Sequence, residues 1–176
     1  KFIVKETEIK NKGGNGLTSK ANDKDIVELS NFETQTINGL ILMSHVNHNE
    51  TLRKHVLQTY DAYTCTADIF TKGFNLLEYA DGGTLEDYLL NKNGINDNEF
   101  SYLFTSYLVP LLYLQDKCQF KHTDLKAANI FCSKSDKLGG TPILKIADLD
   151  RTSVKYDGVT YQSRRTIESV CLANKK

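Results

Sequence analysis

The sequence predicts an α+β fold, in one domain or two small lobes, and three observations carry that expectation. Stretches rich in β-branched and aromatic residues, at residues 1–9, 55–63 and 70–79, read as strands. Two runs with apolar residues at helical spacing, residues 25–46 and 96–117, are long enough for packed helices. In 176 residues, 40% hydrophobic and 25% charged, there is chain enough to bury a real core.

In chain order, residues 1–9 alternate Phe2 and Val4 with Lys1 and Lys5, the period of a strand. Residues 11–22, rich in Gly, Asn, Lys and Ser, predict a loop. Ile26, Leu29, Phe32, Ile37, Leu40 and Ile41 define a helix over 25–46, with Asn22 or Asp23 as its cap. Strands at 55–63 and 70–79 follow, separated by a polar turn. After Gly82 and Gly83, residues 84–89 begin a short helix. The helix over 96–117 is capped by Asn96 or Asp97 and kinked by Pro110. Its broad apolar face, including Phe100, Leu103, Phe104, Tyr107 and Leu112, reads as core. Residues 130–132 and 143–146 are short apolar runs that suit a hairpin, and the chain turns polar after Asp150.

Bulk properties exclude several classes. Lys and Arg balance Asp and Glu at 22 each, so no net field advertises nucleic acid or an anionic membrane as partner. The longest apolar run, near residues 108–114, is too short to span a bilayer. The start is charged and lacks the apolar core of a signal peptide. Cys65, Cys118, Cys132 and Cys171 are scattered without metal-type pairing and read as reduced thiols, which points to the cytoplasm or nucleus. His45, His48 and His55 form no metal constellation.

The chemistry concentrates in residues 122–129, His-Thr-Asp-Leu-Lys-Ala-Ala-Asn, echoed by Ile-Ala-Asp-Leu-Asp at 146–150. This is the layout of a phosphoryl-transfer site. Asp124 is placed to accept the proton of an attacking hydroxyl, and Lys126 to neutralise charge on the transferred group. Asn129 and Asp148 are oxygen ligands suited to Mg²⁺. A polar turn between strands would explain one of these residues, not four chemically specific types at these offsets.

At these residues the chain resembles the eukaryotic-type protein kinase superfamily, whose catalytic loop reads His-Arg-Asp-Leu-Lys-x-x-Asn. The resemblance extends to Phe74-Asn-Leu-Leu-Glu-Tyr-Ala-Asp-Gly-Gly83, similar to the family's apolar strand, Glu-Tyr hinge and Gly-Gly pair. It implies a bilobal fold, truncated or reduced: a partial small β-rich lobe over 1–79, then hinge, catalytic loop and metal-binding segment of a partial helical lobe over 80–176. It also implies ATP and Mg²⁺ as cofactors. Lys5, in Ile-Val-Lys, would pair with the nucleotide phosphates, and Glu33 with Lys5, Glu28 being the alternative. Leu77 would be the gatekeeper, the Glu78 carbonyl and Ala80 N–H would meet the adenine edge, and Thr84 would lie near the ribose. His122 would hold the catalytic loop.

Three departures from the family pattern stand out. The glycine-rich loop precedes the lysine strand in the family, and Lys-Gly-Gly-Asn-Gly at 12–16 follows it here without the Gly-x-Gly-x-x-Gly spacing. Thr123 replaces the arginine that meets an activation-loop phosphate, so switching by that route is not expected. Asp148-Leu-Asp150 replaces Asp-Phe-Gly, which argues for a fixed loop. No Ala-Pro-Glu motif follows, and with Lys1 rather than Met at the start the chain reads as part of a longer product or a reduced kinase. The resemblance, with Lys126 in Asp-Leu-Lys, implies an ATP- and Mg²⁺-dependent kinase acting on Ser/Thr hydroxyls of proteins, and with Thr123 and Asp150 it looks similar to haspin-like kinases or those of large DNA viruses. The alternatives are an inactive pseudokinase scaffold and a small-molecule kinase of the aminoglycoside or choline type.

Overall fold

The computed structural model describes residues 1–9, 26–67, 70–92, 94–134 and 141–164. The expected loop at 11–22 and its cap candidates Asn22 and Asp23 lie outside them. In chain order the elements are β1 (Phe2–Ile9), β2 (Ile26–Leu29), α1 (Asn31–Val46), α2 (Glu50–Arg53), β3 (Thr59–Ala67), β4 (Phe70–Glu78), α3 (Leu85–Leu90), α4 (Asp97–Cys118), β5 (Ile130–Ser133), β6 (Ile143–Ile146), β7 (Ser153–Tyr156) and β8 (Val159–Ser163). One-turn 3-10 helices fall at Ala127–Asn129 and Leu149–Arg151. The fold is α+β, as the patterning predicts.

Three sheets organise the strands. β1, β4 and β3 form an antiparallel sheet in the order β1-β4-β3, with Lys5 opposite Asn75 and Leu77 opposite Ile3. β5 and β6 form the expected hairpin, Ile130 opposite Ile146. β7 and β8 form a second hairpin, turned at Asp157 and Gly158 with φ of 49° and 80°, the positive pair that a two-residue turn demands. β2 pairs with β8 in parallel, Leu29 opposite Ser163.

β2 corrects the sequence reading. Residues 26–29 were expected to open a helix, but Ile26 and Val27 are β-branched and extend beside β8. The helix starts at Asn31, where Ser30 caps it: the Ser30 hydroxyl accepts from Glu33 N–H, and Glu33 Oε2 accepts from Ser30 N–H at 2.8 Å. The strand expected at 55–63 starts only at Thr59. The short α2, capped by Asn49, precedes it, and His55–Leu57 run beside β6 instead, with Leu57 N–H on the Ile146 carbonyl and Ile146 N–H on that of His55.

α4 forms as expected, with Asn96 as its cap, and continues through Pro110. Its apolar face divides. Leu103, Tyr107 and Leu114 are buried, but Phe100, Phe104 and Leu112, read from sequence as core, are 60%, 57% and 53% exposed. The helix is too broadly apolar for the neighbours it has, and Phe100 and Phe104 line a groove with Leu85, Leu89, Ile95 and Leu125.

The main core joins Leu42 and Val46 of α1 to Leu114 and Cys118 of α4, Cys132, Leu144 and Ile146 of the β5–β6 hairpin, and Leu149. A smaller cluster, Leu57, Leu77 and Ala147, bridges the three-stranded sheet and the end of β6, with Ile3, Ala80 and Phe131 against it. Cys65, Cys118 and Cys132 carry free thiols, and burial raises those of Cys118 and Cys132 to about 11, so they are packing groups rather than nucleophiles.

His55 ties the two halves of the core together. It is 4% exposed, and its Nδ1–H donates to the Leu144 carbonyl at 2.8 Å. Burial depresses its pKa from the ordinary 6.5, which outweighs the opposing Leu144 bond, while Lys54 and Lys145 push the same way as burial. The folded state therefore prefers neutral His55, and the unfolded chain binds the extra proton. Stability is expected to fall as pH drops below about 6.5 toward the lower folded-state midpoint, and His55→Gln is expected to flatten that slope. Urea unfolding of both proteins between pH 8 and 5 checks it.

Candidate nucleotide and phosphoryl-transfer site

α4 ends at Cys118, and Gln119 closes it in the left-handed conformation at φ 49°. The chain then enters the segment 120–129, pinned at both ends. Lys121 pairs with Ser153 in both backbone directions at 2.9 Å, and the buried His122 donates through Nε2 to the Ala147 carbonyl at 2.8 Å. His122 thus holds the Asp124 loop against the residue that precedes Asp148.

Within the loop Asp124 is the hub. Its Oδ2 accepts from Asn129 Nδ2 at 3.1 Å and from Lys126 Nζ at 3.3 Å, with Arg151 Nη1 at 3.7 Å. Asn129 Nδ2 also reaches the Asp124 backbone carbonyl at 2.9 Å. With its nitrogen on Asp124, Asn129 has its amide oxygen as the atom suited to a cation. Burial alone would raise the Asp124 pKa, but the Lys126 and Arg151 charges and the Asn129 amide outweigh it and hold the carboxyl below the ordinary carboxylate range. Asp124 is ionised at neutral pH.

Asp148 lies across a cleft from this loop, at the end of β6, with φ 54° in the left-handed region. Lys5 Nζ reaches across from β1 to Asp148 Oδ1 at 2.5 Å. Lys5, Asp148 and Asn129 line one cleft of about 380 Å³ together with Leu77, Ile3, Val4, Leu57, Ala128 and Phe131. The cleft has an apolar wall and a polar end, which suits a ligand with a flat base and a charged tail. Oxygen donors Asn129 and Asp148 fit a hard divalent cation such as Mg²⁺. Among the described residues no three His, Cys, Asp or Glu gather into a metal cluster. A cation here would thus complete its shell from phosphate oxygens and water.

Of the residues named from sequence, Lys5, Leu77, Asn129 and Asp148 line this cleft. Leu77 is 3% exposed on its wall, and Ala80 packs on the same apolar cluster. Glu78 follows at the strand end, its N–H on the Gln58 carbonyl and its carboxylate on the buried Lys145 ammonium at 2.9 Å. Lys145 also donates to the Lys54 carbonyl at 2.7 Å, so the hinge is fixed to the strand that leads into Asp148. Thr84 lies at the start of α3, where its hydroxyl and the Asp87 carboxylate cap one another. That hydroxyl is committed to the helix rather than left open for a sugar.

Glu33 is the residue that the structure moves elsewhere. It does not pair with Lys5; its carboxylate is occupied by the Ser30 N–H of the capping box. Glu28, the alternative, belongs to β2 opposite Gln162. The α1 residue facing Lys5 is Gln35, whose Oε1 accepts from Lys5 Nζ at 3.4 Å and from Leu149 N–H at 2.9 Å. A search for a carboxylate passes over it. The signal available in the sequence is the spacing of Asn31, Gln35 and Asn38, three amides on one helical face. Arg151 and Lys145 were likewise unremarked among the charged residues.

A family model for the protein kinase domain matches residues 10–168, and the chain belongs to that family. A Dictyostelium discoideum protein named as a probable serine/threonine-protein kinase is 29% identical over 115 residues, 65% of this chain and 12% of the relative. An Acanthamoeba polyphaga mimivirus protein named among the serine/threonine-protein kinases is 25% identical over 207 aligned residues, 92% of this chain and 29% of the relative. Mitogen-activated protein kinase kinase 2 of Arabidopsis thaliana is 40% identical over 55 residues, 31% of this chain and 15% of the relative. The chain spans well under a third of the length of each. Among the described residues no helix is long and apolar enough to cross a membrane.

Lys126, at 3.3 Å, is nearer the Asp124 carboxylate than Arg151 at 3.7 Å, and Lys126→Met is expected to raise the Asp124 titration midpoint toward the ordinary 3.8. Carbon-detected NMR titration of the Asp124 carboxyl reads this directly, and a midpoint that stays put contradicts the assignment of cause.

Proposed function

We propose that this chain transfers the γ-phosphoryl group of Mg-ATP to Ser or Thr hydroxyls of proteins. The observation that carries the reading is the joint placement of Lys5, Asn129 and Asp148 around one cleft, with Asp124 bonded to both Asn129 and Lys126. Membership of the protein kinase domain family supports the protein acceptor. Lys126, two residues after Asp124, supports the choice of Ser/Thr over Tyr, and the names of the relatives agree with it.

In this reading Leu77, the Glu78 carbonyl and the Ala80 N–H receive the adenine, an edge with alternating acceptor and donor. Lys5 leaves Asp148 for the phosphates. Asn129 and Asp148 would hold Mg²⁺, which would neutralise phosphate charge. Asp124 orients the acceptor hydroxyl. As the oxygen–phosphorus bond forms and the bond to the bridging β–γ oxygen breaks, Asp124 takes the hydroxyl proton and ADP leaves. A carboxylate held this low is a weak base, so orientation is its larger contribution. Lys126, within reach of the same carboxylate, faces the charge on the group in transit.

The segment after Asp148 supports activity without activation-segment phosphorylation. Where the family's arginine would stand, Thr123 donates its hydroxyl to the Arg151 carbonyl. Arg151 itself stands beside Asp124, β8 pairs with β2 and with β7, and Thr152, just before β7, is held to α1 by Asn38, contacts that need no phosphate.

The test is transfer from labelled Mg-ATP to a mixed protein acceptor. Asp124→Asn is expected to cut the rate by about 10²-fold or more, the scale of a lost positioned base. Nucleotide binding with no transfer by either protein would instead favour a scaffold, and transfer only to a sugar or antibiotic would favour a small-molecule kinase.

A further inference from the structure

α1 presents three neutral amides at helical spacing, and each is spent on the turn that follows Asp148. Asn31 Nδ2 reaches Asp150 Oδ2 at 3.4 Å. Gln35 Oε1 accepts from Leu149 N–H at 2.9 Å. Asn38 Nδ2 donates to Thr152 Oγ1 at 2.9 Å, and that hydroxyl donates to the Leu149 carbonyl at 2.7 Å. Both backbone polar groups of Leu149, a residue 1% exposed, are therefore held by α1, one directly and one through Thr152. Asp148, immediately before it, sits at φ 54° and ψ 62°, a conformation an Asp keeps only where its surroundings fix it.

Gln35 does a second thing that Asn31 and Asn38 do not. The same Oε1 lies 3.4 Å from Lys5 Nζ, and Gln35 is 2% exposed, so its oxygen is directed by packing and not by water. A carbonyl oxygen has two lone pairs and accommodates both donors. One atom of α1 thus joins the lysine of β1 to the turn carrying Asp148, although Lys5 and Asp148 are 143 residues apart. Its neutrality matters. A carboxylate would compete with Asp148 and with phosphate for the Lys5 charge, whereas an amide orients the ammonium and leaves its charge available.

We propose that Gln35 is a positioning residue for nucleotide binding: through one neutral amide oxygen it aims Lys5 into the cleft and fixes the turn that holds Asp148. The inference rests on the nucleotide reading above. It treats the α1–Lys5 link of this chain as a polar tether, insensitive to salt, in place of the ion pair that Glu33 was expected to supply.

The experiment is calorimetric titration of Mg-ATP into the native chain, Gln35→Leu, Gln35→Glu, Lys5→Met and the Gln35→Leu/Lys5→Met double variant, with KM and kcat measured on the same proteins. Leu has nearly the volume of Gln and lacks the oxygen. Gln35→Leu is expected to weaken Mg-ATP binding at least about tenfold, the scale of one hydrogen bond to a charged group, and to raise KM more than it lowers kcat. Gln35→Glu, which keeps an accepting oxygen but adds a charge that competes with phosphate for Lys5, is expected to bind Mg-ATP more weakly than native at low salt, with the gap narrowing as salt screens that charge. The double variant is expected to lose less than the sum of the two single losses, because the part of the Gln35 effect that runs through Lys5 is already gone in Lys5→Met. If Gln35→Leu does not fold, Gln35→Asn, whose oxygen is withdrawn by one methylene, is read in its place. Native binding with Gln35→Leu within about twofold of it, or losses that add in full in the double variant, overturn the positioning role. No Mg-ATP binding by the native chain overturns the nucleotide reading and this inference with it.

Discussion

An ammonium and a carboxylate 2.5 Å apart join the first strand of this fold to the turn after β6, and the candidate site is built around that contact. Lys5 and Asp148 are each about 30% exposed, at 31% and 29%, and a pair so open to water contributes little to stability. The geometry must come from elsewhere. It comes from α1, which lies directly on the three-stranded sheet. A Cβ at Gly39 would fall 2.3 Å from Thr59 Oγ1, and one at Gly73 would fall 2.4 Å from the Phe32 ring. Only hydrogen at these two positions lets helix and sheet approach this closely. That approach sets β1 and the Asp148 turn at a fixed separation, and Gln35 spans it.

The remainder of the site follows from the same scaffold. His122 and Lys121 tie the Asp124 loop to the segment after β6, so the loop and Asp148 move as one body. Lys145 does the corresponding work for the hinge. Buried beneath Glu78, it fixes the end of β4 to the strand that ends next to Asp148. Removing either partner would leave a charge with poor solvation, which is how a marginal pair enforces a unique arrangement. The apolar wall at Leu77 and the polar end at Asp148 are thereby both held to one strand, β6.

Much of this was legible in the sequence. Residues 122–129 stood out because four chemically specific residue types fall at fixed offsets, and the structure bonds Asp124 to both Lys126 and Asn129. The β5–β6 hairpin, β4 and α4 declared themselves through period and caps. What escaped was set by tertiary context. Residues 26–29 carry the apolar spacing of a helix, but Ile26 and Val27 extend because β8, far along the chain with Ile26 opposite Thr160, offers a parallel edge. Glu33 looked like the partner of Lys5 by charge. The capping box claimed it, a local demand that Ser30 three residues earlier makes visible. Gln35 was passed over because an amide does not announce an ionic role. The faces of α4 could not be apportioned, since Phe100 and Phe104 have the spacing of core residues and are exposed all the same.

The central claim is a division of labour in one cleft, with Lys5 on the phosphates and Asp148 on the cation. Calorimetric titration of ATP, with and without Mg²⁺, into native, Lys5→Met and Asp148→Asn proteins tests it most directly. The account predicts that Lys5→Met weakens ATP binding in both conditions, while Asp148→Asn weakens it only when Mg²⁺ is present. Equal losses in both conditions for Asp148→Asn, or ATP binding indifferent to Lys5, would contradict it.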